Sequence, residues 1–147
     1  MVVWIAVVSP ITGVLITLAS ELLHRFDWAD EPASNAVVES VQSQLGQLPT
    51  EYLALMRLHN GGEGFVGEGS YLRLWAVEEL PEKNRVLAPR RPQNVILLGS
   101  DGSDDLYAVQ PTADGHVFLA FPRIALESVG KELADSWSGF LQALARS

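Results

Sequence analysis

The spacing of apolar residues predicts helices in the first part of the chain. One helix is expected from Ser34 or Asn35 to Gly46, because apolar residues recur there at helical intervals between a capping residue and a glycine. Another is expected to open at Leu48-Pro49 and to end at Asn60-Gly61-Gly62, since glycine readily takes the conformation that terminates helices. The inward positions of the two helices are Val37, Val38, Val41, Leu45, Tyr52, Leu55, Met56 and His59.

The beginning of the chain is unusually apolar, with no charge in residues 2–20. That length is enough for a membrane-spanning segment, but no Lys or Arg precedes it, and Ser9-Pro10 is typical of a helix start that divides the run. Apolar residues continue at helical intervals past Glu21, which predicts an amphipathic first helix. A secretory signal or membrane anchor is the alternative for this segment. The apolar positions are Ile11, Leu15, Leu18, Leu22 and Phe26.

After the glycines the period changes from that of helices to that of strands. Ser70–Trp75 alternates two kinds of side chain, which predicts a strand with two different faces, and a short helix is expected over Val77–Asn84. Three more strands are predicted, joined by turns at residues 99–104 and 111–115, before a last helix that starts near Ser136. These strands are Asn94–Leu98, Asp105–Gln110 and His116–Phe121.

Helices first, then consecutive strands and a closing helix, indicate the α+β class. We expect a mostly antiparallel sheet of short strands with helices packed against it and an extra N-terminal helix. Its aromatic residues Tyr71, Trp75 and Trp137 fit core or sheet packing. All of residues 1–147 fit in a single domain, because a chain of this length can bury its own core.

The charge and the lack of cysteine narrow the functional classes. Without cysteine there is no disulfide and no thiolate metal site, which suits a reducing cytoplasm. Eighteen acidic against ten basic residues give a formal net charge of −8. A negatively charged surface repels the phosphate backbone of nucleic acids. A basic protein is therefore a better candidate partner than nucleic acid. The alternative is that the charge only keeps the protein soluble.

The residues do not form a catalytic constellation that sequence can identify. There is no cysteine nucleophile and no G-x-S-x-G elbow, and no two of His24, His59 and His116 have the i, i+4 spacing of a zinc site. The glycine-rich residues 60–64 lack the lysine of a phosphate-binding loop, and Glu63 would repel phosphate. We therefore expect a protein that is not an enzyme and that needs no cofactor.

The carboxylates between Asp101 and Asp105 are the most suggestive group for chemistry. Clustered oxygens on a glycine-containing loop could hold magnesium or calcium, and a metal-dependent hydrolase is a further alternative. The spacing of a calcium-binding loop is missing, so the preferred interpretation is a tight turn in which Asp and Ser bond to the backbone. Glu78, Glu79 and Glu82 are expected to form a solvated helical face, since Lys83 and other helix formers surround them.

Four segments in the right order resemble the SUKH superfamily of cell-wall-assembly regulators (Smi/Knr type) and bacterial toxin-immunity domains. The first has a Leu-Pro start, an aromatic residue one turn later and an Asn-Gly stop. The second is a strand that leads into a short helix, the third is a strand–Gly/Asp turn–strand, and the fourth is a closing helix. They are Leu48–Gly62, Leu72–Leu80, Ile96–Gly102 with Leu106–Val109, and Ser136–Leu141.

The resemblance covers residues 36–146 and leaves out the N-terminal segment 1–30, which is expected to add a layer or form a homodimer surface. It implies a sheet backed by helices without catalysis. For bacterial members it also implies a cytoplasmic immunity protein that binds and neutralises a secreted toxin, often a nuclease. An acidic inhibitor would complement a nuclease that is basic around its active site.

The residues expected to contact a basic toxin domain are acidic loop positions, because loops carry binding surfaces on a rigid core. A small-ligand or peptide-binding regulatory domain without a toxin partner is the alternative. Neither a metal nor a membrane is expected to take part. The candidate positions are Glu63, Glu68, Asp101, Asp104 and Asp105.

Overall fold

The computed structural model describes residues 21–87, 91–92, 94–125 and 130–147. Most of the predicted first helix therefore lies outside the described residues. Residues 21–22 are helical, but the chain then turns, and Asp27–Trp28 is a strand. The prediction that the helix continues to Phe26 is wrong. Phe26 instead comes after a turn in which its N–H donates to the Leu23 carbonyl (3.0 Å).

Seven strands in the described residues form one antiparallel sheet, in which every strand pairs with its neighbours in sequence. Strands that follow each other in sequence usually lie side by side, and this sheet contains no crossover. The strands are β1 (Asp27–Trp28), β2 (Gly62–Phe65), β3 (Tyr71–Leu74), β4 (Ile96–Ser100), β5 (Asp105–Thr112), β6 (Gly115–Pro122) and β7 (Lys131–Ala134). With the helices packed against it, this sheet confirms the predicted α+β class.

One helix begins and ends at the expected residues, and the last helix begins where it was expected. Helix α1 (Asn35–Leu45) is capped by Ser34, whose hydroxyl accepts the Val37 N–H (3.2 Å), and it stops at Gly46. Helix α2 is Thr50–Met56, and a 3-10 turn (Val77–Glu79) leads into α3 (Leu80–Val86). Helix α4 (Trp137–Arg146) is capped by Ser136. None of the described helices is long and apolar enough to span a membrane.

The segment after α2 differs from its prediction. The helix ends at Met56, whose carbonyl accepts the N–H of Ala33 (2.8 Å), and so it does not extend to Asn60. Gly61 has φ +102, and a β-carbon there would lie 2.9 Å from the Leu74 carbonyl. Glycine is therefore required by the close approach to β3 rather than by a helix end. The chain continues directly into β2.

One face of the sheet packs against α4, on which α2 packs in turn. The ring of Tyr107 meets Phe140 edge-on, with 5.4 Å between centroids, and Phe118 stacks on the same ring at 5.0 Å. Tyr52 of α2 in turn meets Trp137 edge-on at 5.7 Å. We call this the helix-covered face. These rings are buried, so this face carries a large aromatic part of the hydrophobic core.

A buried asparagine closes the sheet where β3 ends early. β3 pairs with β4 only at Gly99 and Ser100, so Leu97, which pairs with Ala108 of β5 on one side, has no strand partner on the β3 side. Asn84 of α3 accepts the Leu97 N–H at 2.9 Å and donates to the Leu97 carbonyl at 3.1 Å. The side chain thus replaces a strand and fixes α3 against the sheet.

Candidate functional site

The opposite face of the sheet is partly exposed at its β1–β3 end and carries polar and aromatic residues. Register places Glu63 opposite Arg73 and Phe65 opposite Tyr71, and opposite residues of an antiparallel pair share a face. Trp75, two residues after Arg73, continues the same row just past the end of β3. We call Glu63, Phe65, Tyr71 and Arg73 the open face. The predicted alternation of Ser70–Trp75 is thereby confirmed, since Leu72 and Leu74 are buried on the other side.

Glu63 is held in the middle of the open face by two donors. The Tyr71 hydroxyl and the Arg73 guanidinium (3.2 Å) both donate to the same carboxylate oxygen. These bonds lower the pKa of Glu63, the Tyr71 bond most, and the same bond raises the pKa of the Tyr71 hydroxyl. Glu63 is consequently a charged group with a fixed orientation, and Arg73 partly balances its charge.

Phe65 provides the exposed apolar part of the open face. It is 48% exposed, unusual for so large an apolar side chain, and it meets the Tyr71 ring edge-on at 5.1 Å. The Arg25 guanidinium lies 5.7 Å from the Phe65 ring centre and 3.5 Å from the Glu68 carboxylate. A rigid aromatic pair with charged neighbours is a typical anchor for a protein partner.

The turn between β4 and β5 is built on Asp101. One carboxylate oxygen of Asp101 accepts the N–H groups of Ser103 (2.8 Å) and Asp105 (3.1 Å), and the Ser100 hydroxyl accepts that of Gly102 (3.1 Å). Gly102 has φ +84. This is the tight turn preferred from the sequence. We call residues 101–105 the acidic turn. A β-carbon on Gly102 would lie 3.2 Å from the Tyr71 ring, so the turn lies against the open face.

The five predicted contact residues form two neighbouring groups rather than one. Glu63 and Glu68 lie around Phe65, and each is paired with an arginine. The exposed Asp104 belongs to the acidic turn, where Asp101 is used by the turn itself. Register places Asp105 on the helix-covered side of the sheet, opposite Pro122. Partial burial, and after it the charges of Asp101 and Asp104, raises the pKa of Asp105.

The described residues contain no group of three acidic or histidine side chains arranged to hold a metal ion. The three histidines instead donate to backbone carbonyls, those of Glu21, Ala29 and Gln47, at 2.8–3.0 Å. Such bonds fix the ring to the local backbone, which is a structural use of histidine. The rings concerned are His24, His59 and His116, in that order.

Sequence reasoning did not identify the cleft next to the open face. Trp75 forms its floor, and α3 and Arg123 flank a volume of about 580 Å³. Glu78, Glu79 and Glu82, predicted as a solvated face, are exposed and line this cleft. We call it the Trp75 cleft. The alternation of Tyr71, Arg73 and Trp75 was the available signal, but the covered side of the sheet could not be told from alternation alone.

The fold and signature residues agree with one protein family. Asn60, from the Asn-Gly pair of the first signature segment, bonds to the second segment: its side chain accepts the Val77 N–H (2.8 Å) and donates to Glu78. Among curated proteins, the comparison finds no match. The sequence does match the SMI1 / KNR4 family (SUKH-1) over residues 32–143, which confirms the resemblance seen in the four segments. The chain belongs to the SMI1 / KNR4 family (SUKH-1).

Proposed function

We propose that this protein is an immunity protein that binds a basic toxin domain through the open face and the acidic turn. The observation that carries the proposal is the exposed Phe65, which packs on Tyr71 beside Glu63 and the Arg25–Glu68 ion pair, on a sheet backed by helices. Aromatic anchors in a charged rim are the usual composition of strong protein interfaces. Family membership supports the same class of function.

Neutralisation would result from occlusion and would need no chemical step. The net charge of −8 draws a basic domain in and speeds the encounter, while the aromatic pair supplies apolar contact once water is excluded. Arg25 and Arg73, which neutralise Glu68 and Glu63, add donors for acidic groups of the partner. Affinity is then expected to fall with added salt, because the attraction between exposed charges is screened.

The proposal predicts that a toxin domain is encoded beside this gene in its source organism, and co-expression with that domain is the test. A variant with Glu68→Lys and Asp104→Lys reverses two exposed charges and leaves the turn bonds of Asp101 intact. We expect this variant to protect cells markedly less than the wild type. Glu39→Lys with Glu51→Lys, exposed on α1 and α2, is the matched control and should protect fully.

Two results would refute the proposal. Full protection by the Glu68→Lys, Asp104→Lys variant would show that the open face and the acidic turn are not the toxin-binding surface. Failure of the wild-type protein to bind or protect against the neighbouring toxin would remove the immunity function itself. Circular dichroism of each purified variant checks that it is folded, so that lost protection is not mistaken for lost structure.

A further inference from the structure

The Trp75 cleft already contains a cation that comes from the protein itself. The Lys83 ammonium lies 5.2 Å from the centre of the Trp75 ring, and this distance is within the range of a cation–π contact. Trp75 is only 9% exposed, so its ring is largely covered where it lies. The cleft is thus an aromatic floor occupied by a positively charged group.

The rim of the cleft makes it a better environment for a cation than its floor alone. Among the described residues that line the cleft, Glu78, Glu79 and Glu82 contribute three carboxylates, and Lys83 and Arg123 are the cations. Glu82 pairs with Arg85 at 3.0 Å, but both side chains are at least 70% exposed, so this pair is weak. Val86, 63% exposed, adds an apolar wall that fits the methylene stem of a long side chain.

We infer that the Trp75 cleft receives a lysine or arginine side chain of the protein partner, and that Lys83 holds the place of that side chain in the free protein. Lys83 is the replaceable group because it is exposed on a short helix and its contact with Trp75 is weak. Trp75 lies two residues beyond Arg73, so the cleft continues the open face. The inference rests on the proposed function for its occupant, because it assigns one subsite of the same binding surface.

The cleft is tested without the toxin, using a pentapeptide probe with one central arginine between glycines. The ¹H–¹⁵N resonance of the Trp75 indole is assigned by its loss in Trp75→Phe and monitored during titration. We expect this resonance to shift with the arginine peptide and not with a glutamine peptide of the same length. The Trp28 indole, on β1, is the internal control and should shift far less.

Variants separate a cation subsite from unspecific attraction. The triple variant Glu78→Gln, Glu79→Gln, Glu82→Gln removes three charges but keeps the oxygens that accept hydrogen bonds. Its affinity for the arginine peptide should fall about tenfold, in the range for three exposed charges. Lys83→Ala should raise the affinity for the arginine peptide about threefold, because the competing cation is removed. Glu39→Gln with Glu51→Gln should change nothing.

Equal shifts with the glutamine peptide, equal shifts at Trp28, or weaker binding by Lys83→Ala would each overturn the inference. Binding of a free polyamine in preference to the arginine peptide would also overturn it, because the occupant would then be a small molecule and not a protein side chain. The peptide titration is independent of the toxin experiment. A cleft that binds arginine in a protein that fails to protect cells would contradict the immunity function alone.

Discussion

At the scale of single residues, Asn84 is a buried polar side chain that joins α3 to the sheet. It is fully buried and bonds to both the N–H and the carbonyl of Leu97. We expect Asn84→Leu, similar in size, to lower the free energy of unfolding by about 3 kcal/mol, because two buried backbone groups lose their partner. Asn35→Ala, which removes an exposed bond to Arg57, should cost less than about 0.5 kcal/mol. Urea unfolding measures both, and equal effects would contradict the assigned role.

Asp105 is expected to make stability depend on pH in a defined direction. Its pKa is raised in the folded protein by burial and by Asp101 and Asp104, so the folded state holds this proton more tightly than the unfolded state does. Stability from this group is therefore present below the ordinary pKa of aspartate and is lost as pH rises through the raised value. Asp105→Asn should stabilise the protein at pH 7. The gain should be less than about 1 kcal/mol, because the side chain is only partly buried and water screens its charge. At pH 3 the gain should vanish, and thermal unfolding at both pH values checks this. A gain that is larger at pH 3 would contradict the sign.

At the scale of elements, the acidic turn separates a structural aspartate from an exposed one. Asp101→Ala removes the acceptor of two backbone N–H groups and should destabilise the protein by about 1–2 kcal/mol. Asp104→Ala should change stability by less than about 0.5 kcal/mol, since its side chain is exposed. If urea unfolding gives the reverse order, the turn is not built on Asp101.

Also at this scale, helices and strands marked by their own residues were predictable from the sequence. Elements that form only because adjacent strands pair with them were not. Ser34 and Ser136 mark helix starts by their own chemistry, and the alternation in β3 is visible in the sequence. β2 contains two glycines and one glutamate in four residues, so its identity as a strand depends on pairing with β1 and β3. The turn predicted at residues 111–115 is shorter in the structure, because strand pairing continues to Pro111, opposite His116, and beyond.

The candidate site was partly predictable for a related reason. Acidic loop positions can be read from the sequence, but whether a carboxylate is exposed, paired or used by the backbone depends on the packed structure. Glu63 pairs with Arg73 across two strands, and Asp101 bonds to the turn that it opens. The exposure of Phe65 results from the position of the helices on the other side of the sheet. No local pattern contains that information.

At the scale of the whole molecule, the proposed function assigns stability and recognition to opposite faces of the sheet. Its helix-covered face holds the stacked rings of the core, and its open face leaves Phe65 and a charged rim available. A rigid sheet presents such a surface without an ordering cost on binding, which favours affinity. The net charge acts over the longer distance at which partners first meet.

The most direct test of this account is the affinity of the neighbouring toxin domain for Phe65→Ala, measured by calorimetry. We predict a loss of about 30-fold, the size expected for an aromatic anchor of about 2 kcal/mol. Leu58→Ala, which truncates another exposed apolar side chain away from the open face, should leave the affinity within about twofold, as for a residue outside the interface. Wild-type affinity in Phe65→Ala, or an equal loss in both variants, would contradict the open face as the binding surface.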